Sequence, residues 1–154
     1  MLSYKNIIKK ILSENISISL AESCTGGQLT KLFTDVPGIS KIFEMGLVTY
    51  SNKSKVKILK IPKNIIKKYG AVSEEVASLM VKNLFKISKS KICISITGIA
   101  GPSGGSKIKP VGLVFIGFTI NNKTLVFKKN FKGSRKQIQN KTINFCLKKI
   151  KELI

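Results

Sequence analysis

Small and hydroxyl-bearing residues near the start of the sequence form the first candidate for chemistry. They read Ala-Glu-Ser-Cys-Thr-Gly-Gly over residues 21–27, after an alternating apolar run at 16–20 and before a periodic apolar run that begins at Leu29. This order predicts a strand, a tight turn and the start of a helix. The Ser23 hydroxyl would project beyond the strand end, where the helix start favours negative charge. One short segment would then supply both a nucleophile and an oxyanion site.

Two interpretations of this turn remain open from these residues alone. In the chemical one Ser23 is the nucleophile, and the oxyanion donors are the backbone N–H groups around Thr25, Gly26 and Gly27. In the other, Ser23 and Thr25 cap the helix and the glycines form a plain turn. Cys24 is the stronger intrinsic nucleophile, but the sequence contains no histidine to pair with it. We therefore interpret Cys24 as a small packed residue at the helix start.

A glycine-rich loop over residues 98–105 is the second candidate. It follows a compact apolar strand at 91–97 and holds four glycines and one proline in eight residues, which excludes a helix or a strand interior. Its spacing fits neither a nucleotide P-loop nor the dinucleotide-binding fingerprint. The position after a strand end is where α/β folds place ligand sites.

Apolar periodicity and turn signals place both segments in an alternating order of strands and helices. Helices are predicted at 3–14, 26–34, 53–59, 63–69, 76–87 (opened by 73–75) and 135–153, with a short helical turn at 39–44. Strands are predicted at 16–21, 46–50, 91–97, 111–120 and 123–131, the last two as an antiparallel hairpin. This order predicts an α/β fold, a single three-layer αβα domain over residues 1–154 with a mixed sheet.

The charge balance raises the question of a nucleic-acid partner. The sequence carries 28 Lys and Arg against 7 Asp and Glu, a formal net charge of +21, and such a charge is typical of nucleic-acid-binding proteins. Every basic residue except Arg135 is a lysine, and the lysines occur in nearly every segment without an aromatic ladder or an arginine cluster. We interpret the charge mainly as a compositional bias. A basic binding protein for nucleic acid or nucleotides remains the alternative.

Histidine and cysteine usage restricts the chemistry further. The absence of histidine removes Ser-His and Cys-His pairs and disfavours a zinc or iron site, so no metal and no cofactor are expected. The cysteines, Cys24, Cys93 and Cys146, are far apart, as is typical of a reducing cytoplasm. No apolar run reaches membrane-spanning length, and lysines interrupt the apolar stretch at 2–12, so no secretory signal is predicted.

Six segments in one order resemble the CinA C-terminal domain family. They are 21–27 (Ala-Glu-Ser-Cys-Thr-Gly-Gly), 35–38 (Asp-Val-Pro-Gly), 48–52 (Val-Thr-Tyr-Ser-Asn), 70–77 (Gly-Ala-Val-Ser-Glu-Glu-Val-Ala), 97–102 (Thr-Gly-Ile-Ala-Gly-Pro) and 109–112 (Lys-Pro-Val-Gly). They extend over nearly the whole chain, so the resemblance is highly specific.

The resemblance implies a nicotinamide mononucleotide (NMN) amidohydrolase, also called NMN deamidase. Such an enzyme hydrolyses the nicotinamide amide to nicotinic acid mononucleotide and ammonia, a step of pyridine nucleotide recycling. The resemblance also implies a cytoplasmic bacterial enzyme, often a homodimer. Longer members carry an additional N-terminal domain that this sequence lacks, so the stand-alone form is expected. A related pyridine nucleotide or riboside is an alternative substrate.

In the family, the positions that match Ser23, Tyr50 and Lys55 carry the catalysis. An amide is a poor electrophile, so the serine needs a base, and without histidine that base must be a tyrosine, a lysine or a carboxylate. An adjacent ammonium favours the phenolate, which would deprotonate the serine and later protonate the leaving ammonia. Without the family, Tyr50 would be a half-buried strand-end aromatic and Lys55 one more solvated lysine. Thr97 is expected either to hydrogen-bond to substrate or to Ser23, or to cap its strand end.

Nucleotide binding is expected from the glycine loop and from the start of the last helix. The backbone of 98–105, with Gly98, Gly101, Gly104 and Gly105, would cradle the nucleotide because only small residues allow that approach. The family has a Gly-Asp-Arg-like helix entry and a further Arg, one of which contacts the phosphate side.

This sequence departs from the family at that helix entry. The entry here is Gly-Ser-Arg, ending at Arg135, and the further position holds Gln137 or Gln139. Arg135 or Lys136 is therefore expected to bind the phosphate, with one bidentate contact fewer than in the family.

Overall fold

The computed structural model describes residues 4–154 as an alternating set of strands and helices. The helices are α1 (Tyr4–Ser13), α2 (Gln28–Thr34), α3 (Asn52–Leu59), α4 (Lys63–Tyr69), α5 (Glu74–Ser88) and α6 (Arg135–Leu153). The strands are β1 (Ile18–Glu22), β2 (Phe43–Val48), β3 (Ile92–Gly98), β4 (Leu113–Ile120) and β5 (Lys123–Asn130). A single 3-10 turn, Ile39–Lys41, precedes β2.

The five strands form one mixed sheet in the order β2-β1-β3-β4-β5. The first three are parallel, and β4 runs antiparallel to both β3 and β5. The β4–β5 hairpin turns at Asn121 and Asn122, whose φ angles of 50° and 60° are the left-handed values that a two-residue hairpin loop favours. The predicted mixed sheet and its antiparallel hairpin are confirmed.

Helices cover both faces of the sheet. On one face α1, α2 and α6 bury apolar side chains against the strands, among them Ile8, Phe33 and Ile150. On the other face α5 packs through Met80 and its neighbours, together with the end of α3. The central strand β3 is buried over 92–97, because helices and neighbouring strands enclose it. The predicted three-layer α/β fold is confirmed. Within residues 4–154 no helix combines the length and the apolar character needed to cross a bilayer.

Two element boundaries that bear on the site differ from the prediction. Helix α2 begins at Gln28, two residues later than predicted. Gly26 and Gly27 have positive φ angles of 61° and 91°, which an α-helix does not accommodate. Strand β2 spans Phe43–Val48 instead of 46–50, because it pairs with β1 along that whole range. Tyr50 therefore lies beyond the strand, in the connection to α3.

Candidate active site

The candidate site lies where the carboxyl ends of the parallel strands meet, the edge at which α/β sheets bind ligands. Ser23 directly follows β1, Gly98 ends β3, and Tyr50 follows β2. A cavity of about 240 Å³ opens there. Its lining residues are Ser23, Cys24, Tyr50, Gly98, Ile99, Ala100, Gly101, Ser103, Gly104 and Arg135. Both segments singled out from the sequence therefore share one cavity with the start of α6.

A direct hydrogen bond joins Lys55 to Ser23 at the base of this cavity. The Nζ of Lys55 donates to the Oγ of Ser23 at 2.9 Å and to the carbonyl oxygens of Thr49 at 2.7 Å and Tyr50 at 3.4 Å. Helix α3 begins with a capping box between Ser51 and Ser54, which fixes its first turn and hence Lys55. The interpretation of Lys55 as a solvated lysine is wrong, because only 1% of the residue is exposed.

Burial changes the acid–base behaviour of this amine. It lowers the pKa of Lys55 from 10.5 to about 8, because the charged form loses its hydration, and the nearby Cys24 only partly opposes the shift. Among residues 4–154 no carboxylate lies within salt-bridge distance of the Lys55 amine. About a tenth of the amine is therefore neutral at pH 7, far more than for an ordinary lysine, and this neutral form can accept a proton from the Ser23 hydroxyl.

Cys24 lacks the properties of a nucleophile. Burial raises the pKa of its thiol to about 12, and the charges of Lys55 and Arg135 offset this only in part. The thiol is therefore protonated near pH 7, and thiols react as thiolates. With 6% of the residue exposed, Cys24 is the small packed residue that the sequence predicts.

Glu22 organises the turn that presents Ser23, and the sequence analysis missed it. Its wholly buried carboxylate accepts four hydrogen bonds. The donors are the Thr25 hydroxyl at 2.6 Å and the backbone N–H groups of Gly27 at 3.2 Å, Leu29 at 3.2 Å and Thr30 at 2.7 Å. A carboxylate on the last residue of an apolar strand, just before a glycine turn and a helix, was the available signal for this contact.

Two of the N–H groups expected to serve as oxyanion donors, those of Gly26 and Gly27, form other hydrogen bonds in this structure. The N–H of Gly26 donates to the Ser23 carbonyl at 3.0 Å, and that of Gly27 donates to Glu22. Within residues 4–154 neither Cys24 nor Thr25 donates its N–H group to a backbone carbonyl. The simple capping interpretation also fails, because the Thr25 hydroxyl donates to Glu22 and Gly27 occupies the N-cap.

Tyr50 contacts Ser23 and Lys55 through its backbone carbonyl. Its carbonyl faces Lys55 and Ser23, whereas its phenol oxygen accepts a hydrogen bond from Arg135 Nη2 at 2.8 Å. The residue is 58% exposed, so Tyr50 is more open than the half-buried aromatic of the alternative interpretation. The phenol thus belongs to the rim of the cavity together with Arg135.

Arg135 spans the mouth of the cavity. It is the first residue of α6, and a capping box between Ser134 and Gln137 fixes that end of the helix. Besides the phenol, its guanidinium reaches the carbonyl oxygen of Gly101 at 2.7 Å. The Gln137 side chain takes part in the capping box. Gln139 donates to the Cys24 carbonyl at 2.8 Å and so contacts the turn that follows β1.

Only some glycines of the loop over residues 98–105 line the cavity. Gly98, Gly101 and Gly104 line the cavity, whereas Gly105 lies outside its lining against Val111, where a Cβ atom would lie 2.7 Å from the Val111 backbone nitrogen. Thr97 is 1% exposed and donates its hydroxyl to the Ala71 carbonyl at 2.8 Å. That contact matches the strand-end alternative for Thr97.

The chain closely resembles several proteins in sequence. It is 48% identical over 147 residues to a putative competence-damage inducible protein of Alkaliphilus oremlandii, covering 95% of this chain and 36% of that protein. It is 46% identical over 143 residues to a CinA-like protein of Endomicrobium trichonymphae, covering 92% of this chain and 33% of that protein. The chain thus spans about a third of the length of these curated relatives.

Solved structures share the fold over nearly the whole chain. The competence/damage inducible protein CihA from Agrobacterium tumefaciens is 31% identical with a TM-score of 0.91, covering 97% of this chain and 94% of that one. A CinA superfamily protein from Escherichia coli is 27% identical with a TM-score of 0.91, covering 99% and 91% of the two chains. The CinA C-terminal domain profile matches residues 3–154, and the chain belongs to that family.

Proposed function

We propose that this chain is an amidohydrolase that converts NMN to nicotinic acid mononucleotide and ammonia through an acyl-enzyme on Ser23. The observation that carries the proposal is the 2.9 Å contact between the Ser23 hydroxyl and the buried amine of Lys55. A serine becomes a useful nucleophile only beside a base, and a desolvated lysine with a pKa of about 8 meets that need without imidazole.

Acylation begins when the neutral Lys55 amine takes the Ser23 proton. The Oγ atom attacks the amide carbon, and the carbonyl electron pair moves onto oxygen to give a tetrahedral oxyanion. The N–H groups of Cys24 and Thr25, which donate to no backbone carbonyl, are the donors we assign to that oxyanion. The residue after the nucleophile supplies a donor of this kind in other serine hydrolases.

Breakdown of the tetrahedral intermediate transfers the proton held by Lys55 to the leaving group. The Lys55 ammonium protonates the amide nitrogen, the C–N bond breaks, and ammonia leaves with the acyl group held on Ser23. Water then enters, gives a proton to Lys55 and attacks the ester. Collapse of the second intermediate passes the Lys55 proton to Ser23 Oγ, restores the serine hydroxyl and releases the nicotinic acid group, which loses its proton to water. Lys55 alternates between base and acid in both halves, as proton balance requires.

The rim of the cavity supports recognition of a nucleotide. Arg135 is the only arginine of the sequence, and its guanidinium has the planar shape that suits phosphate oxygens. The cavity wall at Gly98, Gly101 and Gly104 carries no side chain, so a ribose or phosphate can approach the backbone. We assign the phosphate to Arg135 and the ribose to this glycine wall.

Ammonia release from NMN tests the proposal. The wild type should liberate ammonia at the same rate with and without a chelator, and Ser23→Ala should remove turnover while keeping the folded state. Normal turnover in Ser23→Ala would refute the assigned nucleophile. Absent turnover in the wild type, together with tight and steeply salt-dependent DNA binding, would support the basic binding protein instead.

A further inference from the structure

Glu22 is an acidic side chain without a cationic partner at the centre of the domain. Its side chain is 0% exposed, and it directly precedes Ser23 in the chain. Over residues 4–154, no lysine or arginine nitrogen forms a salt bridge with it. All its side-chain hydrogen bonds come from the turn after Ser23 and from the first residues of α2. Its charge is therefore balanced by this short segment.

The cost of burying a carboxylate explains why it needs these donors. An unpaired charge inside a protein costs several kcal/mol, so a buried carboxylate must accept strong hydrogen bonds. Glu22 receives four, three of them from backbone N–H groups that open α2, where the helix dipole favours negative charge. The same contacts replace the missing side-chain cap of α2, since the N-cap is Gly27.

These contacts fix both ends of the segment that presents the nucleophile. The backbone of Glu22 belongs to β1 and pairs with Val48 of β2 and Ile96 of β3, while its side chain binds α2. Between them lie Ser23 and two glycines with positive φ, a backbone with wide conformational freedom. The Glu22 side chain ties the helix start back onto the strand end and so limits that freedom.

We propose that Glu22 is a positioning residue, whose carboxylate holds the 23–27 turn where Ser23 Oγ lies 2.9 Å from Lys55 Nζ. It acts through the turn and touches neither the substrate nor the reacting atoms. Its effect on turnover rests on the proposed amidohydrolase function, whereas its effect on the position of Ser23 does not.

Glu22→Gln is the matched test, because it keeps the size of the side chain and removes the charge. The amide NH2 cannot accept a hydrogen bond, so in either orientation at least one N–H of α2 loses its acceptor. Since a displacement of about 1 Å can cost about 100-fold in rate, kcat for NMN should fall about 100-fold or more, with KM changed less than about threefold.

Ser95→Ala serves as the control for loss of a buried hydrogen bond elsewhere. Ser95 is also 0% exposed, lies on β3 and donates to the Ala77 carbonyl at 2.7 Å. We expect Ser95→Ala to lower Tm and to leave kcat per folded molecule unchanged. If Glu22→Gln behaves in the same way, Glu22 serves stability alone and the proposal is wrong.

A second variant and a structural readout keep the test decisive. Thr25→Val removes the 2.6 Å hydrogen bond to Glu22 at nearly constant volume, so it should fold even where Glu22→Gln does not, and kcat should fall about tenfold. Crystal structures of wild type and variants give the Ser23–Lys55 distance directly. We expect it to exceed about 3.5 Å in the variants. An unchanged distance in the variants overturns the proposal. If Ser23 is displaced in the variants but the wild type itself does not turn over NMN, only the proposed function is refuted.

Discussion

The pH dependence of NMN turnover tests the role of Lys55 most directly. If the neutral amine of Lys55 activates Ser23, kcat/KM must follow the fraction of that amine that is unprotonated in the free enzyme. Burial sets this fraction by lowering the pKa of Lys55 to about 8. Protonation below that pKa should therefore remove activity, and deprotonation above it should restore activity.

The size of the effect follows from the shifted pKa. With a pKa of about 8, roughly 9% of the amine is neutral at pH 7 and roughly 91% at pH 9. We therefore expect kcat/KM to rise about tenfold between pH 7 and pH 9 and then to level off. A lysine with the ordinary pKa of 10.5 would give about 100-fold over the same range with no plateau. At pH 7 the shift increases the neutral fraction about 300-fold.

The assay is initial-rate ammonia release at NMN concentrations below KM, between pH 7 and pH 10. This range lies above the second ionisation of a phosphate monoester, near pH 6, so the charge of the substrate stays nearly constant. Lys57→Met is the matched control, since Lys57 is exposed on the same helix and its loss should leave the profile unchanged. A flat profile, or one still rising at pH 10, would refute the assignment of Lys55 as the base.

Other outcomes follow from the same contacts. Lys55→Met should abolish turnover and yet raise Tm at pH 7, because an ammonium whose pKa is depressed costs up to about 3 kcal/mol of stability below pH 8. That gain should shrink as pH rises from 8 to 10.5, because above 10.5 the wild-type amine is mostly neutral in both the folded and the unfolded state. A lower Tm for Lys55→Met at pH 7 would contradict this. Tyr50→Phe should lower kcat/KM only about 3- to 10-fold, since the phenol contacts Arg135 at the rim. A loss as large as that of Lys55→Met would show that the phenol takes part in proton transfer. Arg135→Gln should raise KM for NMN about 10- to 100-fold and leave KM for the phosphate-free riboside unchanged, whereas equal changes would place the phosphate elsewhere. Gly112→Ala should prevent stable folding, measured by thermal denaturation, because its Cβ would lie 1.8 Å from the Phe131 carbonyl oxygen; a wild-type Tm would contradict this.

Local sequence signals predicted much of the fold. The limits of α4 and α6 match the prediction, because Pro62 and Ser134 mark their starts with a fixed φ and a capping side chain. The start of β2 at Phe43 was missed, since its pairing with β1 extends the strand into residues whose local pattern resembles a helical turn. Sheet pairing decided that boundary, and local periodicity does not contain this information.

The sequence predicted which residues would form the candidate site better than it predicted the contacts between them. The family resemblance brought Ser23 and Lys55 together, and the structure adds that Lys55 is buried and reaches the serine directly. The direction of the Tyr50 phenol depends on Arg135, which lies 85 positions away in the chain. The contacts of Glu22 depend on the path of the turn, which follows from two positive φ angles.

The arrangement of the cavity separates reactivity from selectivity along the chain. The proposed nucleophile, its proposed base and the turn that presents Ser23 come from residues 22–55, which form one continuous stretch from the end of β1 through α2 and β2 to the start of α3. Most of the remaining cavity wall comes from the end of β3, the β3–β4 connection and the start of α6, and the first stretch adds Cys24 and Tyr50. Under the proposed function, mutations in the second region can therefore change which amide enters while Ser23 and Lys55 keep their geometry. Such a layout favours divergence of substrates among proteins that share this chemistry.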